Sequence, residues 1–269
     1  MSKIFLIDIA KCTGCYNCQL ACKDEHCGND WRPYAAPQPL TGQFWCKVTE
    51  HVQGSIPKVK IHYVSRMCAH CANPRCMAAC LHGAITRRED GFILINPDAC
   101  VGCGFCVNAC PYDAIYFNRE LHIAQKCTGC AHLLDNGVSK TPRCAEACPT
   151  DAITFGEESE LAEQLVGAKP LTPGGKIYYK NIPGEFIGGT VYDPVEKEVV
   201  IGAKCVLTGE GKMYETETDS YGDFWFKNLP AGGCYDLTIS AEGFREKTFE
   251  KISTKKSVNL DDIPLEKTK

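Results

Sequence analysis

The chain has 269 residues, 44% hydrophobic and 23% charged, with a formal net charge of −4. That length carries two domains or one large one. The charge offers no basic surface for nucleic acid, and no apolar run approaches the about 20 residues of a membrane-spanning helix. The outlying number is 20 cysteines, which a secreted protein pairs as disulfides and a cytosolic one uses on metal.

The N-terminal MSKIFLIDIAKC carries one lysine before a short apolar run and then meets the first cysteine. It lacks the apolar core, cleavage site and twin arginine of an export signal, so a cytoplasmic protein is expected. FLIDIA predicts a strand running into a loop. Sixteen cysteines then fall in four groups: Cys12, Cys15, Cys18, Cys22; Cys68, Cys71, Cys76, Cys80; Cys100, Cys103, Cys106, Cys110; and Cys127, Cys130, Cys144, Cys148. The first and third are C-x2-C-x2-C-x3-C. The second widens one gap to four residues, and the fourth widens it to thirteen, Ala131 to Arg143. Pro111 and Pro149 follow the last cysteines of groups three and four.

C-x2-C-x2-C-x3-C-P is the spacing of bacterial 4Fe–4S ferredoxins. Three thiolates at x2 intervals let a tight loop wrap one face of a cubane, with backbone N–H groups turned toward its sulfurs. The fourth cysteine, expected at the start of a helix, points away from its own loop and ligates the other cluster. Zinc does not explain three or four thiols per group repeated four times, and disulfides between residues three apart are strained.

The text between groups repeats as well. LHGAI after Cys80, PYDAIYF after Cys110 and PTDAITF after Cys148 each read as a turn and a short strand. FILINPDAC repeats the strand-to-loop entry before group three. REDGFILIN reads as a hairpin around Asp90-Gly91. The whole is an internal duplication of a strand–loop–helix–strand unit, making two ferredoxin-like modules. Tandem modules pair groups one with two and three with four; nested modules pair one with four and two with three. Nineteen residues join groups two and three, against the long Lys23–Met67 segment between one and two, which favours nesting.

After Phe155 the character changes. GEESELAEQLVG predicts a short helix, and KPLTPGGKIYYKNIPGEF a Pro/Gly-punctuated strap on the cluster domain. From Ile187 onward GGTVYD, EVVIGAKCVLTG, MYETETD, GDFWFKNLP, YDLTISAEGF and KSVNLDDIPL alternate apolar and polar between Gly, Asp and Pro turns, predicting an antiparallel β-sandwich. TDSYGDFWF with LPAGGCYDLTISAEGF resembles the carboxypeptidase regulatory-like, transthyretin-like sandwich. The expected class is α+β: a double ferredoxin-like four-cluster domain over 1–155, a helix and strap linker over 156–186, and the sandwich over 187–269.

Cys27, Cys46, Cys205 and Cys234 lack ligand spacing and read as buried free thiols. His70 and His132 lie beside ligands without replacing any, as donors near a cluster or as surface residues. Lys23, Lys126, Arg75 and Arg143 flank the groups, where a cation favours the reduced cluster or is simply solvated. No phosphate loop, Ser/His/Asp set or HExxH is present, so no catalytic residue is assigned.

The four motifs in this order, with the x4 variant in the second and the long insert in the fourth, resemble the iron–sulfur electron-transfer subunits of molybdopterin oxidoreductases of the dimethyl sulfoxide reductase superfamily. The resemblance covers about residues 1–185. It implies one cluster on Cys12, Cys15, Cys18 and Cys148, and a second on Cys127, Cys130, Cys144 and Cys22. A third falls to Cys68, Cys71, Cys76 and Cys110, and the fourth to Cys100, Cys103, Cys106 and Cys80. KCTGCAHLLDNG, TPRCAEAC and KIYYKN followed by an extra domain resemble, more narrowly, the small subunit of the pyrogallol–phloroglucinol transhydroxylase type. The resemblance further implies a non-catalytic subunit of a heterodimer. It relays electrons between an external redox partner and a large catalytic subunit holding molybdopterin with molybdenum or tungsten. That catalytic subunit acts on a phenol by transhydroxylation, hydroxylation or reductive dehydroxylation, in an anaerobic setting. Subunits of this family are also exported folded on a partner's signal. A free-standing polyferredoxin and a formate dehydrogenase- or hydrogenase-type subunit are the alternatives.

Overall fold

A computed structural model describes residues 2–268. The chain divides into two units: Met1–Glu50 with His62–Ile182, and His51–Ile61 with Pro183–Lys269. Among the described residues no helix is long and apolar enough to cross a membrane.

The first unit is organised by β1 (Lys3–Asp8), whose four central residues are all buried. Its unbroken apolar run marks a strand covered on both faces. The helices follow as α1 (Asn17–His26), α2 (Arg75–Ala78), α3 (Phe105–Ala109), α4 (Ala131–Asp135) and α5 (Arg143–Glu146). Between them lie β2 (Lys47–Ser55) and β3 (Lys58–Arg66), paired as a ribbon, then the short hairpins β4 (Ile85–Arg87) with β5 (Ile93–Ile95) and β6 (Tyr116–Asn118) with β7 (Ile123–Gln125). β8 (Ile153–Glu157), β9 (Lys169–Pro170) and β10 (Ile177–Lys180) complete a four-stranded sheet in the order β8-β1-β10-β9. Phe5 lies opposite Phe155 on antiparallel β8 and Ile177 on parallel β10. The Phe5 and Phe155 rings are 4.8 Å apart, and Phe92 stands 6.0 Å from Phe5.

Two expectations for this part are corrected. Residues 158–167 form turns, not a helix. Only Leu161 is fully buried there, and a segment this short with one buried side chain lacks the packing that sustains a helix. The strap that comes next is ordered sheet: β10 pairs with the central strand itself. The hairpin expected around Asp90-Gly91 is β4–β5, with Asp90 accepting the Phe92 N–H at 3.0 Å and Gly91 at φ +87.

The second unit contains β11 (Glu185–Tyr192), β12 (Lys204–Gly209), β13 (Lys212–Glu217), β14 (Asp223–Leu229), β15 (Cys234–Ser240), β16 (Lys247–Ser253) and β17 (Val258–Pro264). They make a sheet β14-β11-β17 and a sheet β13-β12-β15-β16. Alternation puts Cys205, Leu207, Leu237 and Ile239 in the core with Ile187, Phe224 and Ile263. The unit is not wholly antiparallel: β11 runs parallel to β17. Parallel neighbours need a long crossover, and β12 to β16 form it. β16 was not read from the sequence because KTFEKIS buries only Ile252; it is a lysine-bearing edge strand on β15. Cys205 is buried as expected, but Cys234 is exposed. The tip of the β2–β3 ribbon is part of this unit, anchored by Lys58, whose Nζ is 2.6 Å from Asp223 Oδ1.

Candidate functional site

In every group the third cysteine is the second residue of a helix: Cys18 in α1, Cys76 in α2, Cys106 in α3 and Cys144 in α5. The fourth cysteine comes four residues later, toward the helix C-terminus: Cys22, Cys80, Cys110 and Cys148. Residues i and i+4 share a helix face about 6 Å apart along the axis. In α1 one helix face therefore carries both thiols; in the other three groups the fourth cysteine follows the helix by one or two residues. The fourth cysteine was expected at a helix start; it stands farther along the helix or just beyond its end, because the x2 loop already consumes the approach to the first turn.

Sheet pairing decides which thiols meet. β8 begins five residues after Cys148 and pairs with β1, which ends four residues before Cys12; Ile7 lies opposite Ile153. Cys12, Cys15, Cys18 and Cys148 consequently line one cavity. The β4–β5 hairpin returns the chain from Cys80 to Cys100, and Cys80, Cys100, Cys103 and Cys106 line a second. Cys68, Cys71, Cys76 and Cys110 line a third. Cys22, Cys127, Cys130 and Cys144 are all buried and lie within electrostatic reach of one another. Among the described residues no group of three or more His, Cys, Asp or Glu side chains is disposed to hold a single metal ion; the thiols of three sets ring cavities instead.

The local backbone is shaped toward sulfur. Backbone N–H groups donate to Cys100 Sγ from Ala124 (3.4 Å), to Cys110 from Ala114 (3.5 Å), to Cys127 from Gly129 (3.4 Å) and to Cys148 from Ala152 (3.3 Å). Such donors favour the charged form of a thiolate. Gly129 reaches Cys127 at φ +64, with the Phe92 ring 2.8 Å from where a Cβ would stand. His70 is buried in the third cavity's wall. Its Nδ1 accepts the Ile93 N–H at 3.0 Å, while its Nε2 has no partner among the described residues. Four thiols to a cavity at three sets, a fourth set that is wholly buried, N–H groups aimed at sulfur and an orphaned donor beside one cavity together fit a sulfur-rich cluster at each set. Burial pushes the Cys127 thiol up to about 11, aided by Cys68, and does the same at Cys76 and Cys106. These thiols release protons when they bind metal.

Two polar side chains occupy the spaces between sets. Lys126 is buried and donates to the carbonyls of Ile93 and, at 3.1 Å, Cys127. Cys46 lies within hydrogen-bonding reach of both Cys18 and Cys144. Its partner Ser65 was not singled out from sequence, since a lone serine near a strand end carries no signal. Lys23 donates to the Gly42 carbonyl at 2.9 Å and Arg143 pairs with Glu25 at 3.3 Å, while Arg75 is exposed. His132 bonds Glu25 at 3.0 Å and stacks on Trp31, so it is a buried residue close to Cys130 in sequence. Cys27 is half-buried.

Residues 59–158 match the 4Fe-4S dicluster domain family, and residues 187–266 match the carboxypeptidase regulatory-like domain family. The chain is 34% identical, over 274 aligned residues, to the pyrogallol hydroxytransferase small subunit of Pelobacter acidigallici, covering 97% of this chain and 98% of that one. This protein belongs to the pyrogallol hydroxytransferase small-subunit family. Two further relatives of this family member match only about half of it. They are the B subunit of tetrathionate reductase from Salmonella typhimurium (37% identity, 49% of this chain, 50% of the relative) and the B polypeptide of anaerobic dimethyl sulfoxide reductase from Escherichia coli (35%, 47% and 60%).

Proposed function

We propose that this chain is the electron-transfer subunit of a larger oxidoreductase, holding four 4Fe–4S clusters in two nested ferredoxin-like modules. The ligand sets are Cys12, Cys15, Cys18 and Cys148; Cys22, Cys127, Cys130 and Cys144; Cys68, Cys71, Cys76 and Cys110; and Cys80, Cys100, Cys103 and Cys106. The observation that carries this reading is that three cavities are each lined by three cysteines of one group and the last cysteine of its nested partner. Each cluster, when bound, supplies a site that gains and loses one electron.

The chain's own residues set the path. Cys18 lies near Cys22, Cys127 near Cys68, and Cys76 near Cys106, so the four sets follow one another in a single file. Cys15 in the first set and Cys103 in the last are exposed, which suits exchange at the two ends. The second set is screened from water, and Lys126 keeps a buried ammonium between it and the third.

The partner is a large molybdopterin subunit carrying molybdenum or tungsten and acting on a phenol by transhydroxylation, hydroxylation or reductive dehydroxylation. The match over nearly the full length of a pyrogallol hydroxytransferase small subunit, sandwich included, supports the phenol-type partner over those of the relatives that share about half of the chain. The sandwich then serves as a docking or stabilising module. Oxidation-prone thiols suit a reducing cytoplasm. Anaerobic purification of the native protein with metal analysis tests the reading. About sixteen irons on this chain and a co-purifying subunit with molybdenum or tungsten are expected. A lone iron–sulfur protein exchanging electrons freely would make it a polyferredoxin instead.

A further inference from the structure

In three of the four groups a glycine precedes the second cysteine: Gly14, Gly102 and Gly129, at φ +70, +73 and +64. The same place in the second group holds His70, at φ +44. Glycine enters this left-handed region freely, whereas a side chain there brings strain that the surroundings must over-determine.

The surroundings of His70 do so. The ring is fully buried and packs 4.4 Å from Phe92. Nδ1 accepts the Ile93 N–H at 3.0 Å, so the neutral ring carries its hydrogen on Nε2. Among the described residues that Nε2 has no partner. A buried N–H without an acceptor is costly, and the packing on Phe92 and the bond from Ile93 account for the ring's position but not for this donor. The ring lines the cavity framed by Cys68, Cys71, Cys76 and Cys110.

We propose that His70 Nε2–H is a hydrogen-bond donor to sulfur of the cluster held by Cys68, Cys71, Cys76 and Cys110, and that it raises the reduction potential of that site alone. The inference rests on the ligand sets proposed above. An added electron increases negative charge on sulfur, and an N–H aimed at that sulfur favours the reduced form. The other three groups, with glycine at this position, have no such side chain.

The test is an EPR-monitored redox titration of the intact, anaerobically prepared complex, with iron counted per chain. Wild type should give four one-electron centres and about sixteen irons; fewer of either would sink the ligand sets, separately from His70. In His70→Gly, which restores the pattern of the other groups, the iron count should hold while one midpoint potential falls and three stay. Pulsed EPR of the wild-type complex labelled with 15N-histidine should show nitrogen coupling on the centre whose signal Cys76→Ser abolishes. Four unmoved potentials, several moving together, or no coupling on that centre would each overturn the proposal. The labelled wild type decides the matter if His70→Gly loses iron.

Discussion

Cys46 Sγ stands 3.3 Å from Ser65 Oγ, and both residues are only 1% exposed. Ser65 Oγ is in turn 3.8 Å from Cys18 Sγ, and Tyr179 fixes the Ser65 backbone by donating to its carbonyl at 2.9 Å. Cys46 thus occupies the space between the first thiol set and the second, within hydrogen-bonding reach of Cys18 of one and Cys144 of the other. Its single S–H favours the charged form of Cys144, which accepts it, and disperses that thiolate's charge.

Replacing Cys46 with alanine should therefore lower the reduction potential of the proposed centre that holds Cys144. Cys46→Ser retains a donor and restores most of the difference. Redox titration of both variants checks this; equal potentials in wild type and Cys46→Ala would mean that the thiol merely fills the core.

Nested and tandem ligand pairing predict different losses. With Cys148 on the first set, Cys148→Ser removes the same EPR signal as Cys12→Ser, and each variant retains about twelve irons. Tandem pairing would make the Cys148→Ser loss coincide with that of Cys100→Ser.

Lys126 is 2% exposed, and its ammonium lies within electrostatic reach of Cys71, Cys76 and Cys127. Lys126→Met keeps much of the length of the side chain and removes the charge. The second and third centres should become harder to reduce, by about 59 mV for each tenfold change in a one-electron equilibrium. The first and fourth centres act as internal controls in the same titration.

In the second unit Lys58 is 4% exposed at its side chain, pairs with Asp223, and lies 5.3 Å from the Trp225 ring. Burial pushes the Asp223 carboxyl up, but the hydrogen bonds from Lys58 and Thr190 outweigh it and hold the carboxyl below its ordinary value. Its folded pKa is thus lower than its unfolded one. The stabilisation is present in full above the unfolded value of about 3.9 and is lost as pH falls through the folded value. Hydrogen exchange in β14 and residues 51–61 should accelerate over that acid range, less so in Asp223→Asn. Lys58→Ala leaves a partly buried carboxylate unpaired and should cost about 1–3 kcal/mol at neutral pH, read from denaturant unfolding.

Much of the site was legible because its code is local. The x2 and x3 spacings are covalent distances, and they set a loop followed by a helix turn with thiols at i and i+4, whatever the rest of the chain does. Cys100 to Cys110 and the Asp90-Gly91 hairpin are of this kind, as are the alternating strands β12 and β15. Where the local signal was weak the reading missed. GEESELAEQLVG has helix-forming residues but buries little beyond Leu161, and KTFEKIS is a strand only because β15 offers it an edge.

By itself the sequence determined that sixteen thiols come in four cluster-type loops and that a β-rich domain follows them. The gaps between groups favoured nesting and the resemblance implied the four sets, but only the tertiary structure brings those thiols around shared cavities. Cys148 meets Cys12 across more than a hundred residues because β8 pairs with β1, a contact that no local spacing encodes. The same holds for Cys46 between two sets and for residues 51–61, which join the sandwich through Lys58 and Asp223. Long-range pairing rests on the burial of Phe5, Phe92 and Phe155 together, and burial is a property of the assembled core rather than of any one segment.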